Sequence, residues 1–256
     1  MKNSPSYGIR SRRNAMNAGV RLTARTYGKA RIGTYAEKAD GRIAVESDPE
    51  RLVAHMLRID PRVRSFKPQP FTVDLVGERL LFTREEVSEA RRIRGACTGD
   101  VEYTPDFGTV QVDGLLHAHE VKVEGYEGND RYWRKIERAR EIMEGYGYSL
   151  STVILPADER HPVVFNAQLL KPAIARARTY LTRDIIDRVE RYCESGPVLQ
   201  RALCVNLQIP TGLIPPLLAT GVLQADVAHY HISAALELSA AYGDLSHLCL
   251  IEELRP

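Results

Sequence analysis

Apolar positions fall into short, separated patterns along the first two thirds of the chain. Residues 43–45 form an apolar step, and Leu52, Val53, Met56 and Leu57 then recur at helical spacing. Ser47 or Asp48 offers an N-cap, Pro49 suits the first turn, and Glu50 adds an early acid. Asp60-Pro61 ends that helix. Residues 71–76 alternate as a strand does, and 80–82 resume the pattern after Gly77. Residues 83–94 read as a charged surface helix, with Thr83 and Glu86 as a capping box and 95–99 closing it. Strands follow at 101–112, broken at Pro105 and Gly108, and at 115–124, with Asp113-Gly114 as the hairpin turn. Asn129 or Asp130 opens an amphipathic helix to about Glu144, with Trp133, Ile136, Ala139, Ile142 and Met143 inward. A buried strand at 149–155 and helices at 166–180 and 183–193 complete this part. The alternation of helices and strands predicts an α/β core with a mixed sheet.

Ser195-Gly196-Pro197 marks a boundary, beyond which the sequence turns apolar and helical. A helix is predicted at 198–207, a break at 209–212, a second short helix to Ala219, a hairpin from 222–227 and 229–232, and a last helix from 233. Helix, turn, helix and strand pair is the order of a winged helix-turn-helix, with a small all-helical cap as the alternative. Its second helix (212–219) has no Lys or Arg, so the module is expected to contact protein and not DNA bases. There is no internal repeat.

Composition adds two restrictions. The chain has 256 residues, 44% hydrophobic and 27% charged, with no apolar run long enough to span a membrane. The first 19 residues carry charges without a following apolar stretch, so they are not expected to act as a secretory signal. Cys97, Cys193, Cys204 and Cys249 stand far apart, which argues against a zinc site or disulfide scaffold and fits a reducing cytoplasm. The net charge of +2 hides an asymmetry: residues 1–42 carry +8, leaving −6 on the rest. A basic arm on a mildly acidic body is the footprint of a polyanion-binding arm, with a solvated, partly disordered tail as the alternative.

The residues that suggest chemistry are Pro105-Asp106 and, after the hairpin, Glu120-Val121-Lys122. A strand points i and i+2 to one face, so Glu120 and Lys122 lie side by side. Asp106 reaches the same region from the preceding strand. Two carboxylates with the Val121 carbonyl suit Mg²⁺, which keeps several waters; Mn²⁺ is expected to substitute. Lys122 is placed to orient the nucleophile or to offset charge on the phosphate. Glu46 can complete the metal shell, with Glu50 one turn on in a supporting place. His117 and His119 fall on the opposite strand face and read as structural. His229 and His231 read as surface residues. Arg131, Arg134, Lys135 and Arg138 stud the next helix, as a solvated face or as phosphate contacts.

Four stretches come in one order: Ala44-Val-Glu46-Ser47; Asp60-Pro61-Arg-Val63-Arg-Ser65-Phe66 with Gln69-Pro70; Tyr103-Thr104-Pro105-Asp106-Phe107; and His119-Glu120-Val121-Lys122. In this the region from about 43 to 124 resembles the catalytic domain of the TnsA family, the endonuclease subunits of heteromeric cut-and-paste transposases. The resemblance implies a restriction-endonuclease-like fold with a C-terminal helical domain. It also implies Mg²⁺-dependent hydrolysis at the 5′ ends of a mobile element, with a partner transposase and an ATPase regulator. Glu46, Asp106, Glu120 and Lys122 fall on the family's catalytic positions, and the segment 83–99 reads as an insertion. The expected organisation is a basic arm (1–42), a catalytic domain (43–194) and a winged-helix-like partner-binding domain (195–256). The alternatives are a stand-alone restriction or repair nuclease of the same fold, and a non-catalytic DNA-binding adaptor.

Overall fold

The structure, a computed structural model, describes residues 19–21, 32–97, 99–125 and 128–255. Of the expected basic arm, residues 1–18 and 22–31 lie outside the described residues. Residues 32–42 are folded: β1 (Ile32–Ala36) pairs antiparallel with β2 (Gly41–Val45) around one 3-10 turn. Contacts divide the chain into two compact units. One takes the described residues of Met1–Arg51, Val63–Lys122 and Tyr126–Val153; the other takes Leu52–Arg62, Val123–Gly125 and Ile154–Pro256.

The fold is a mixed β-sheet core flanked by helices, with a largely helical C-terminal region. Helix α1 (Asp48–Ile59) is followed by β3 (Val63–Pro68), β7 (Phe107–Gln111) and β8 (Leu116–Val123), then α3 (Asp130–Glu144) and β9 (Tyr148–Leu155). The central sheet runs β3-β7-β8-β9, antiparallel at β3/β7 and β7/β8. His117 pairs with Ser149 and His119 with Ser151, so β9 advances in the direction of β8, as a strand after a crossover helix does. A second sheet runs β5-β4-β6, from β4 (Thr72–Asp74), β5 (Arg79–Leu81) and β6 (Glu102–Tyr103). Ile136, Ala139 and Met143 of α3 pack with Phe71, Val73, Leu80, Ala118 and Leu150 from both sheets, and half-buried Trp133 joins them. This covers the β8 face that carries Ala118, one residue pair before Glu120.

The predicted capping box of α2 (Arg84–Arg94) is present. This charged helix is clamped to the second sheet: Arg91 and Arg94 both grip Glu102, and Arg94 also reaches the Val101 carbonyl at 2.9 Å.

In the second unit, α4 (Pro162–Tyr180) and α5 (Arg183–Cys193) precede β10 (Val198–Leu199), α6 (Gln200–Leu207), α7 (Ile214–Ala219), β11 (Leu223–Gln224) and β12 (Glu237–Ala240). The sheet order β10-β12-β11 is that of a winged helix. Four expectations are corrected. The helix predicted from 166 starts at Pro162, capped by His161, and continues through Pro172. Residues 198–199 are strand, not helix. The predicted last helix from 233 is absent: Leu236 and Leu238 are buried on alternate positions, and pairing with β10 and β11 overrides the helix-favouring alanines around them. The partner of β11 is therefore β12 and not 229–232. The intervening wing is held by fully buried Asn166, whose amide donates to Val227 and Tyr230 carbonyls (2.8 and 2.7 Å) and accepts from Ile232 N–H (3.0 Å). His229 and His231 are exposed on it, as expected. Among the described residues no single helix is long and apolar enough to cross a membrane.

Asn166→Ala leaves these backbone groups without their partner at a buried position. A loss of about 2–4 kcal/mol is expected, read as a lower urea midpoint with an unchanged slope; an unchanged midpoint would contradict the role given to Asn166.

Candidate active site

The site begins where the β7–β8 ladder runs out. Phe107 lies opposite His119 and Gly108 opposite Ala118, a register that sets Pro105 against Val121. There the Asp106 side chain takes over: its Oδ2 accepts the Val121 N–H at 2.8 Å. A strand residue turns its N–H and C=O to the same neighbour, so the Val121 carbonyl opens on the Asp106 side. The Asp106 carbonyl accepts the Gln69 N–H (2.9 Å), and the Gln69 carbonyl accepts from Val20 (2.9 Å). Gln69 adopts a left-handed φ of 43°, uncommon for a residue with a Cβ and more so before proline. Pro70 then packs against Gly108, where a Cβ would come within 2.6 Å of the ring. Gly108, expected to break the strand, lies inside β7 and is small for this reason.

Glu120 and Lys122 share one face of β8, as predicted, with Lys122 Nζ 2.9 Å from Glu120 Oε1. Two hydroxyls also hold Glu120: Tyr103 donates to Oε2 at 2.7 Å, and Tyr132 donates to Oε1. The residue is 5% exposed. Lys122 Nζ also lies 4.2 Å from the centre of the Tyr132 ring. Tyr132 is set by the first turn of α3, where the Asn129 side chain caps the Tyr132 N–H (3.0 Å).

The N-terminus of α1 brings a third carboxylate. Ser47 accepts the Glu50 N–H (3.3 Å), and Glu50 in return accepts the Ser47 hydroxyl and the Glu46 N–H, both at 2.8 Å. Glu50 is buried. Burial above all pushes its carboxyl up, against those hydrogen bonds. Burial first, then the charges of Glu120 and Glu50, hold Asp106 well above the usual carboxylate range, opposed by the Val121 bond and Lys122. Burial followed by the Glu120 charge keeps Tyr103 and Tyr132 protonated, hence donors.

The structure thus gathers Asp106, Glu120, Val121 and Lys122. Glu46 sits at the edge of the group, 32% exposed in its side chain and paired with Arg21 at 3.2 Å. The α1 acid whose charge Asp106 feels is Glu50, ranked behind Glu46 on sequence. Its signal was the capping pattern itself, which turns the Glu50 carboxylate back toward the strand end. Tyr103, Tyr132 and Gln69 were not singled out; Tyr103 and Gln69 do lie in the stretches that carry the family resemblance. His117 and His119 bond to Ser149, Ser151 and Thr109, the structural role expected of them.

Among the described residues no group of three or more His, Cys, Asp and Glu side chains converges to hold a metal ion. The donors at the strand end are two carboxylates and one carbonyl, and Mg²⁺ takes one or two carboxylates while keeping waters. Burial, and after it the charges of Glu120 and Glu50, raise Asp106, and a divalent cation would offset the part due to those charges, so the donor set fits Mg²⁺ or Mn²⁺. Neither a protein-family model nor a curated protein matches the chain.

A carboxyl raised in the folded state costs stability once it ionises. As pH rises past the usual aspartate value the unfolded chain releases its proton first, so wild-type stability falls toward neutral pH. Asp106→Asn keeps an acceptor for Val121 and removes the charge. Its melting temperature is expected above wild type at pH 7, by about 2–4 °C per kcal/mol relieved, with the gap closing below the usual carboxylate range. A variant less stable than wild type at pH 7 would contradict this electrostatic picture.

Proposed function

We propose that this chain is a metal-dependent DNA endonuclease of the TnsA type, hydrolysing phosphodiester bonds at the 5′ ends of a mobile element. The observation that carries the reading is the strand-end group: Asp106 on the Val121 N–H at 2.8 Å, with Glu120 and Lys122 paired at 2.9 Å beside it. The order α1, three antiparallel strands, α3 and a parallel fourth strand supports it, since that is the core a restriction-endonuclease-like site needs.

Asp106, Glu120 and the Val121 carbonyl would hold Mg²⁺ or Mn²⁺, with Glu46 or Glu50 ordering its shell. When bound, the ion supplies Lewis acidity toward the phosphate and the attacking water. Lys122 keeps Glu120 in place and puts a positive charge where negative charge develops on the phosphate. Tyr103 and Tyr132 restrain the same carboxylate, which limits the reorganisation needed on substrate binding.

The 195–256 module is read as a docking piece for a transposase subunit or an ATPase regulator. Its α7, the helix that would enter a DNA groove in a base-reading winged helix, is buried almost throughout and has no Lys or Arg. The reading carries with it a cytoplasmic location, on chromosomal DNA. One observation favours the adaptor alternative: three donors already satisfy much of Glu120 without a metal.

Cleavage separates these readings. Purified protein with Mg²⁺ or Mn²⁺ is incubated with plasmid bearing the element's ends, alone and with the partner transposase. Strand cleavage is expected to fall at least about 100-fold in Glu120→Ala and Lys122→Ala. Cleavage by the chain alone on any plasmid would favour the stand-alone nuclease. Wild-type activity in Glu120→Ala would sink the mechanism.

A further inference from the structure

Helix α3 carries five cations, Arg131, Arg134, Lys135, Arg138 and Arg140, of which Arg140 pairs with Glu137. Arg131 turns to Asp100 at 2.7 Å, and Arg138 is held by Glu78 and Glu141. Their charges are met by surface carboxylates. Lys135 instead lies against Tyr132, its Nζ 4.9 Å from the ring centre, and makes no close ion pair among the described residues, although its charge is felt by Asp100. Lys122 lies over the same ring at 4.2 Å, with Glu120 as its partner. Arg21, bonded to Glu46, adds a positive charge within range of the Tyr132 hydroxyl. The same ring thus lies against two ammonium groups while its hydroxyl is fixed to the carboxylate of the site. Gly128 supports this placement: with φ 107° it leaves room for the Tyr132 ring, which a Cβ would meet at 2.7 Å.

We propose that Lys135, which shares the Tyr132 ring with Lys122, is a seat for a backbone phosphate of nucleic acid next to the carboxylate pair, and that Tyr132 is the residue that positions Glu120 relative to that seat. This rests on the endonuclease reading and adds to it the side from which the strand enters. A phosphodiester oxygen is the fitting ligand because ammonium groups are non-directional donors that need no base edge. Contact there is independent of sequence.

The test separates this seat from the endonuclease reading itself. A labelled duplex of about 20 base pairs is titrated without divalent cation over a range of KCl, and Mn²⁺ is titrated separately into the DNA-free protein. Lys135→Gln is expected to weaken duplex binding about threefold to tenfold and to lower the log–log salt slope by about one. It should leave Mn²⁺ binding alone. Arg138→Gln, whose charge is already matched, should keep the wild-type slope. Tyr132→Phe keeps the ring and loses the hydroxyl: its salt slope should hold while Mn²⁺ affinity drops about 10–100-fold. A wild-type slope in Lys135→Gln, in a protein that binds duplex, overturns the seat and leaves the endonuclease reading standing. Unchanged Mn²⁺ affinity in Tyr132→Phe overturns the positioning role. Wild-type protein with no salt-dependent duplex binding overturns the endonuclease reading and the seat together.

Discussion

Asp106 accepts through its side chain a strand N–H that a backbone carbonyl would otherwise take, and the site is built around that substitution. Pro105 has no N–H to give to the ladder, so pairing between β7 and β8 gives out at this point. The Asp106 carboxylate fills the place, 2.8 Å from the Val121 nitrogen. This fixes the acid on the strand end, turns the Val121 carbonyl toward it, and leaves Glu120 and Lys122 on either side of Val121. Gln69, bent into a left-handed conformation, anchors the Asp106 backbone from behind.

Such an arrangement is costly by itself. Three carboxylates come near one another, and the structure answers with donors: Lys122 and two tyrosine hydroxyls on Glu120, the Ser47 hydroxyl and a backbone N–H on Glu50, and a single backbone N–H on Asp106. Asp106 is thus the least compensated member, and burial, with the charges of Glu120 and Glu50 behind it, raises its carboxyl well above the usual range. Strongly perturbed groups at a strand end, beside a lysine, are where a functional site is to be sought.

Much of this was legible in the chain because it depends on local rules. The two-residue period of a strand puts Glu120 and Lys122 together, and Asp113-Gly114 brings Asp106 back beside them. The helical period of α3 identifies its inward face, with Ile136, Ala139, Ile142 and Met143 all buried. What escaped depends on tertiary placement. β3 was not expected because a register shift between Val63 and Ser65 breaks the alternation, leaving Val63, Phe66 and Pro68 buried out of period. Tyr103 and Tyr132 join one carboxylate from different elements, and no spacing rule relates them. The helix expected from 233 failed because its apolar residues satisfy either period, and only the neighbouring strands decide between them.

The claim most open to a direct test is that Asp106 and Glu120 form a cation site before any partner binds. Mn²⁺, which such oxygen sites bind at least as tightly as Mg²⁺, is titrated by calorimetry into wild type and Asp106→Ala, up to millimolar metal, with and without a short duplex. Circular dichroism establishes that both proteins are folded. Saturable binding to wild type that Asp106→Ala abolishes is the expected result. Folded wild type that takes up no Mn²⁺, even with duplex present, would contradict the site and leave a DNA-binding adaptor.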